Sequence, residues 1–378
     1  MNPDIPTPAA LLLPPNAVWR SYVGGQVLRE FRGQAATADD HFPEDWLAST
    51  VRARNGDNSQ HELEGLSRVT MGDVTSPLVT WLEQAPAFWF GPAARSRPVP
   101  GVLWKLLDAA GRLQLQAHPD RAFARRHLGS DAGKTECWYI LGTRGPASVY
   151  LGFQRPPSRP EWGRMIREQD VSGMLACFDP VAVKPGDCYV VPAGTPHAIG
   201  AGVFMIELQE PSDWVVRCET IAPGATGLRL PPEACFMGLG LEACLDIFDY
   251  RGRSVAEVRN NFQQQPRRLR QTDSFTEEEI ISPAWHEFFR LHRLQGTGSA
   301  EWPGNELILL IALKGKGELS TSGETKAVRA GQTWLLPGAA RNWEWRNTTG
   351  DWECLLAKLP VTAKTTTTLR ESEVTTAR

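Results

Sequence analysis

Gln116 and His118 stand two residues apart in LQLQAHPD, Glu136 opens ECWYIL, and His197 closes the turn PAGTPH. On a β-strand, residues i and i+2 point to the same face, so Gln116 and His118 can reach one point. Two imidazoles, one carboxylate and one amide oxygen make a donor set for a borderline divalent ion such as zinc. Lys134, two residues before Glu136, would face the same side of its strand. Glu207 lies in the apolar run VFMIELQE, where partial burial would raise its pKa towards that of a useful base. Taken singly, each residue has a plainer reading: Gln116 as a solvated strand residue, His118 as a helix-start residue before Pro119, His197 as a loop cap. The order Gln-x-His, Glu, then Gly-x5-Pro-x-Gly-x2-His is far more specific than any one of them.

These residues need a scaffold of short strands. From Val102 onward the runs VLWKLLDA, RLQLQAH, CWYILGT and SVYLGF are bounded by Gly, Pro and Asp, and the same rhythm returns in VAVKPGDCYVVPAG and VFMIELQE. The stretch to about residue 60 is mixed, with Gly24, Gly25 and Gly33 as turn signals; residues 62–95 read as helices and loops. PDRAFARRHLG reads as a short helix and RPEWGRMIREQDVSGMLACF as another. Across 231–280 the strand rhythm is lost, and PPEACFMGLGLEACLDIFDY and VAEVRNNFQQQPRRLRQ look helical. Strands resume near 286, and the Thr-rich tail reads as loosely held.

One segment occurs twice. VKPGDCYVVPAGTPHAIG (183–200) and VRAGQTWLLPGAARNWEW (328–345) share a Gly, five residues, then a Pro. Gly186 and Gly331 would turn the chain into a strand, and Pro192 and Pro337 would end it, because Pro cannot donate to a ladder. Two copies of one β plan suit jelly-roll barrels, in which short antiparallel strands close around a pocket. His197 in the first copy is matched by Asn342 in the second. The second half also lacks a Gln-x-His pair, and its His286 and His292 have no matching glutamate motif. The expectation is one metal per chain, in the first barrel.

Composition narrows the partners. With 42 % hydrophobic and 22 % charged residues, the chain has the means for a sizeable core. A net charge of −3 gives no electrostatic reason to expect nucleic acid or an anionic membrane as partner. Seven cysteines without a CxxC pair form neither a disulfide framework nor a thiolate zinc site and suit a reducing compartment. No signal peptide or membrane-spanning run is legible, so the expected location is the cytoplasm.

QAHPD, GKTECWYIL, VKPGDCYVVPAGTPHAIGAG and IELQEPSDWVVR closely resemble class I mannose-6-phosphate isomerase, a metal-dependent cupin; FPEDWLAS and LWKLLDAAGRLQLQAHPD resemble its N-terminal half. The resemblance covers roughly residues 18–220 and continues more loosely to about 360. It implies a mainly β chain of two jelly-roll (cupin) barrels with a helical insert. The expected divisions are a catalytic domain over 1–230, a helical segment over 231–283, a metal-free cupin domain over 284–362 and a polar tail over 363–378. By motif, the ligands of one zinc fall on Gln116, His118, Glu136 and His197. The active-site cations fall on Lys105, Lys134 and Arg217, and an acidic residue falls on Glu207.

The implied reaction interconverts mannose 6-phosphate and fructose 6-phosphate through an enediol, in a monomer or homodimer. It needs a Lewis acid, a base that moves a proton between adjacent carbons, and fixed cations for the phosphate. Arg217 suits phosphate because its fork is planar and always charged. Glu207 reads either as the base or as a structural carboxylate paired with Arg217, and Lys105 either as a substrate cation or as a solvated lysine. Two departures bear on substrate more than on fold. The stretch CETIAPGATGLRLPP after Arg217 lacks the lysine many members carry, leaving Arg229 as a substitute, and Gly133 stands where some members have histidine. The alternatives are a metal cupin acting on another sugar phosphate, an oxygenase or epimerase, and a non-catalytic sugar-phosphate sensor.

Overall fold

Along Leu103–Ala109, Glu136–Thr143 and Val203–Gln209, side chains alternate between two apolar environments. Leu107, Trp138, Ile140 and Met205 enter one cluster, while Trp104, Leu106, Cys137 and Ile206 enter another. Burial on both faces explains why these segments read as continuous apolar runs. The computed structural model describes residues 8–35, 38–92, 99–223, 227–321 and 323–361, so the expected loose tail lies outside the described residues. No helix among the described residues is long and apolar enough to cross a membrane.

The strands form two barrels of matching plan. In the first, a six-stranded sheet runs in the order Cys188–Val191, Glu136–Thr143, Val203–Gln209, Leu103–Ala109, Glu44–Leu47, Ala17–Val18. It faces a five-stranded sheet of Val181–Val183, Ala147–Leu151, His197–Ile199, Gln116–Ala117 and Val216–Arg217. In the second, Thr333–Leu336, Ile308–Lys314, Trp352–Lys358, Arg290–Gly296, Phe275–Glu279 and Arg267–Gln271 repeat the order of the six-stranded sheet. The N-terminal strand Leu11–Leu12 adds a seventh member at the Thr333–Leu336 edge. The facing sheet holds Ala300–Pro303, Asn342–Asn347, Lys316–Thr321 and Glu324–Arg329. The two large sheets pack back to back, with Leu106, Ile206 and Leu208 in one cluster with Leu309, Ile311 and Leu355. Helices Arg159–Glu168 and Val171–Ala176 cover the five-stranded sheet through Trp162, Ile166 and Met174.

The duplicated segment behaves alike in both barrels. Gly186 and Gly331 have φ of 89° and 84°, the left-handed region that favours glycine. At Gly331 a Cβ would also lie 1.9 Å from Phe31 O. Each turn leads into a four-residue strand, Cys188–Val191 or Thr333–Leu336, which stops immediately before Pro192 or Pro337. His197 and Asn342 then open the matching strands of the facing sheets.

Four local expectations need correction. Residues 267–279, expected to be helical, are a β-hairpin of Arg267–Gln271 and Phe275–Glu279. Pro266 forbids extension of the helix Val255–Phe262, and the arginines and glutamates pair across strands, Arg267 with Glu279 and Arg270 with Glu277. Residues 62–95 contain a hairpin, Arg68–Met71 with Val74–Pro77, before the helices Leu78–Gln84 and Pro86–Phe90. The run 159–178 holds two helices rather than one, because Gln169 turns left-handed and Asp170 caps the second. PPEACFMGLGLEACLDIF breaks into Pro232–Cys235, Leu241–Cys244 and a 3-10 turn, Leu245–Ile247.

Candidate active site

Alternation puts Lys105, Glu136 and Glu207 on the inner face of three adjacent strands of the first barrel. Lys105 is opposite Glu207 in register, and Glu136 is opposite Gln209. The facing sheet brings His197 opposite Gln116, and Gln116 opposite Arg217. One pocket is lined by Gln116, Glu136, Lys105, Lys134, Glu207 and Arg217, together with Arg20, Tyr22, Glu44 and Asp213. His118 and His197, both buried, do not line it themselves but touch its lining, His118 at Glu136 and Lys134 and His197 at Gln116.

His118, Glu136 and His197 present donor atoms that all lie within 4.8 Å of one another. His118 Nε2 is 3.0 Å from Glu136 Oε1, and His197 Nε2 is 3.6 Å from Glu136 Oε2. Each imidazole donates its Nδ1–H to a main-chain carbonyl, His118 to Trp214 O at 2.9 Å and His197 to Thr195 O at 2.8 Å. Both Nε2 lone pairs therefore face the carboxylate. Lys134 Nζ donates to His118 Nε2 at 3.0 Å and to Glu136, and the Gln116 amide reaches His197 Nε2 at 3.1 Å. Burial lowers the pKa of both imidazoles, that of His118 to about 3. Burial alone would raise Glu136, but His118 and Lys134 outweigh it and hold the carboxylate well below its ordinary range. Two neutral imidazoles aiming lone pairs at an ionised carboxylate, with an amide beside them, fit a divalent ion of zinc type.

The other titratable groups form a chain of ion pairs. Glu207 lies 3.1 Å from Lys105 and 4.0 Å from Lys134, not against Arg217. Burial first and the charge of Glu136 second raise its pKa, against the two lysines. Lys105 is buried between Glu207 and Glu44, at 3.1 and 3.7 Å, which excludes the solvated reading of this lysine. Burial opposes its charge, but those two carboxylates raise its pKa. Arg217 donates to Ala234 O at 2.8 Å, in the helical segment, and makes no ion pair among the described residues.

Several pocket residues carried no local signal. Glu44 accepts from Arg20 Nε at 2.9 Å, Tyr22 Oη at 2.6 Å and Trp46 Nε1 at 2.7 Å. Arg20 also binds Asp213 through both terminal nitrogens, at 3.1 and 3.2 Å. Arg20, Tyr22 and Glu44 come from the mixed N-terminal stretch; Glu44 meets the site through pairing of Glu44–Leu47 with Leu103–Ala109, and Arg20 and Tyr22 through their bonds to Glu44. Trp138 was not singled out in the sequence, although its place two residues after Glu136 could have shown it; its indole donates to Glu136 Oε2 at 3.2 Å and its ring meets His197 edge-on. Among the described residues no tryptophan lines the pocket; Tyr22 is the aromatic residue in its lining. Arg229 is exposed and does not line the pocket. A Cβ on Gly133 would lie 2.8 Å from main-chain atoms of Pro119, Asp120 and Arg121, so no side chain fits there without a shift.

No protein-family model matches the chain. Over 93 % of its length it superposes on the whole solved chain of the mannose 6-phosphate isomerase of Bacillus subtilis, with a TM-score of 0.72 and 21 % identity. That likeness, with the two barrels, defines a cupin-type β fold. In sequence the chain is 30 % identical to the mannose-6-phosphate isomerase of Streptococcus mutans over 244 residues, 64 % of this chain and 70 % of that protein. It is 28 % identical over 264 residues to the probable mannose-6-phosphate isomerase GmuF of Bacillus subtilis, 68 % of this chain and 74 % of that protein. The chain belongs to the mannose-6-phosphate isomerase family and is an isomerase.

Proposed function

We propose that the chain interconverts mannose 6-phosphate and fructose 6-phosphate through an enediol, with one zinc ion held by Gln116, His118, Glu136 and His197. The carrying observation is that one pocket joins Glu136 of the His–Glu–His group, a separate buried carboxylate at Glu207 and, at Arg217, a guanidinium with no ion pair among the described residues. Bound there, the ion would supply Lewis acidity towards the oxygens of the reacting carbons. Glu207 takes the proton from C2 of the aldose and returns it to C1. Lys105 keeps Glu207 on the reacting side of the pocket, and Lys134 donates to substrate oxygen. Arg217 receives the phosphate, its fork oriented by Ala234 O. The first barrel is thus the catalytic unit and the second its structural partner.

The test is elemental analysis of the purified chain, with fructose 6-phosphate formation followed with and without a chelator. Zinc near one per chain and turnover abolished by chelation and restored by zinc are expected. Metal retained without turnover on mannose 6-phosphate would overturn the substrate; turnover on other sugar phosphates would redirect it, and none on any would leave a sensor.

A further inference from the structure

The orientation of His118 depends on one main-chain atom, Trp214 O, which accepts its Nδ1–H at 2.9 Å. Trp214 lies in a turn held by side chains. Ser212 Oγ donates to Gly133 O at 2.6 Å, Gln209 Nε2 donates to Ser212 O, and Asp213 is bound by Arg20. Two more contacts come from a distant loop. The Arg54 main-chain N–H donates to Asp213 Oδ2 at 2.8 Å, and the guanidinium carbon of Arg54 lies 3.5 Å from the centroid of the Trp214 ring. Arg54 does not line the pocket, and its guanidinium makes no ion pair among the described residues. Stacking on Trp214 is the contact that orders it.

We propose that Arg54 is a positioning residue for the metal site: by holding the Trp214 ring, it keeps the Trp214 carbonyl where it turns His118 Nε2 towards Glu136. The proposal rests on the reading of His118 as a metal ligand. Outer partners of ligating imidazoles fix ring orientation, and their loss typically costs about 10- to 100-fold in metal affinity. Arg54 acts one step further out, through an exposed cation–π contact, so a loss of about 5-fold is expected. A lysine lacks the planar face that stacks on the indole, so Arg54→Lys should fall between.

The measurement is zinc affinity of the metal-stripped chain, by competition with a chelating dye and without sugar, beside the unfolding midpoint of the same metal-free proteins. Arg54→Ala should weaken zinc about 5-fold while its midpoint stays within about 1 °C of the parent. In a Trp214→Ala background, Arg54→Ala should add nothing further, because the contact it removes is already gone. Trp214→Leu, which fills part of the space without an aromatic face, provides the same comparison should the alanine variant fail to fold. Parental affinity in Arg54→Ala, additivity with the Trp214 change, or a zinc loss matched by lost metal-free stability would each overturn the proposal. His118→Ala separates the two levels. If it binds zinc normally, the ligand reading fails; if it loses zinc while Arg54→Ala does not, the role of Arg54 alone fails.

Discussion

The two barrels share strand order and register, yet only the first brings metal-ligating side chains together among the described residues. Register pairs their positions one by one. Glu136 lies opposite Val191 and Gln209; its counterpart Ile308 lies opposite Leu336 and Lys358. Gln116 faces His197, where Pro303 faces Asn342. Lys105 faces Glu207, where His292 faces Leu356. At the positions of Gln116, Glu136, His197 and Glu207 the second barrel carries Pro303, Ile308, Asn342 and Leu356, none of them ionisable. Trp302, Trp343, Trp345 and Trp352 fill its interior instead. The barrel therefore supplies positions, and a handful of inward side chains decides whether they hold chemistry or packing.

Writing the second barrel's residue into the first tests this most sharply. His197→Asn copies Asn342, whose strand start it shares. It should empty the metal site and lower turnover by about 10³-fold or more, read by elemental analysis and by fructose 6-phosphate formation. Full metal and near-parental turnover would mean that Asn342 does not explain the silence of the second barrel.

A narrower change separates metal from base. Glu207 is matched by Leu356, yet it is not among the residues that converge as metal ligands. Glu207→Gln should cut kcat by about 10²- to 10⁴-fold while zinc stays near one per chain. Near-normal turnover would remove Glu207 as the base, leaving it the structural partner of Lys105.

The contrast also shows what a sequence can carry. Gln116, His118, Glu136 and His197 were singled out by the order Gln-x-His, Glu and Gly-x5-Pro-x-Gly-x2-His together with the family resemblance, although the strand Gln116–Ala117 ends before His118. The duplicated Gly-to-Pro segment was legible because its geometry is local. Arg20, Tyr22 and Glu44 were not, because Glu44 reaches the pocket through pairing of Glu44–Leu47 with Leu103–Ala109, and Arg20 and Tyr22 reach it from an irregular stretch through bonds to Glu44. The partner of Glu207 was misassigned between Arg217 and Lys105, since Arg217 sits in the facing sheet and spends its hydrogen bond on Ala234. Residues 267–271 misread as helix because cross-strand Arg–Glu pairs resemble the charged face of a helix when the partner strand is unknown.

One carboxylate is kept at the matched position of both barrels, and it yields the smallest expected effect. Glu44 lies opposite Leu107, and Glu277 opposite Leu294. Both carboxylates are buried and held ionised: Glu44 by Arg20 and Lys105, Glu277 by His292 at 2.8 Å and by Arg270. Burial alone would raise Glu277, but hydrogen bonds from His292 and Arg270 bring it from 4.5 to about 2. A carboxyl with a depressed folded pKa stabilises the fold above its unfolded value, and that stability is lost as the pH falls through the folded one. Unfolding free energy should therefore drop between pH 4.5 and about 2, and Glu277→Gln should flatten that part of the profile. Chemical denaturation at stepped pH reads the slope. If the second barrel is only a structural partner, the same variant keeps zinc content and kcat at neutral pH. A Glu277→Gln protein with intact folding but reduced turnover would place a function in the second barrel and break the division between the two.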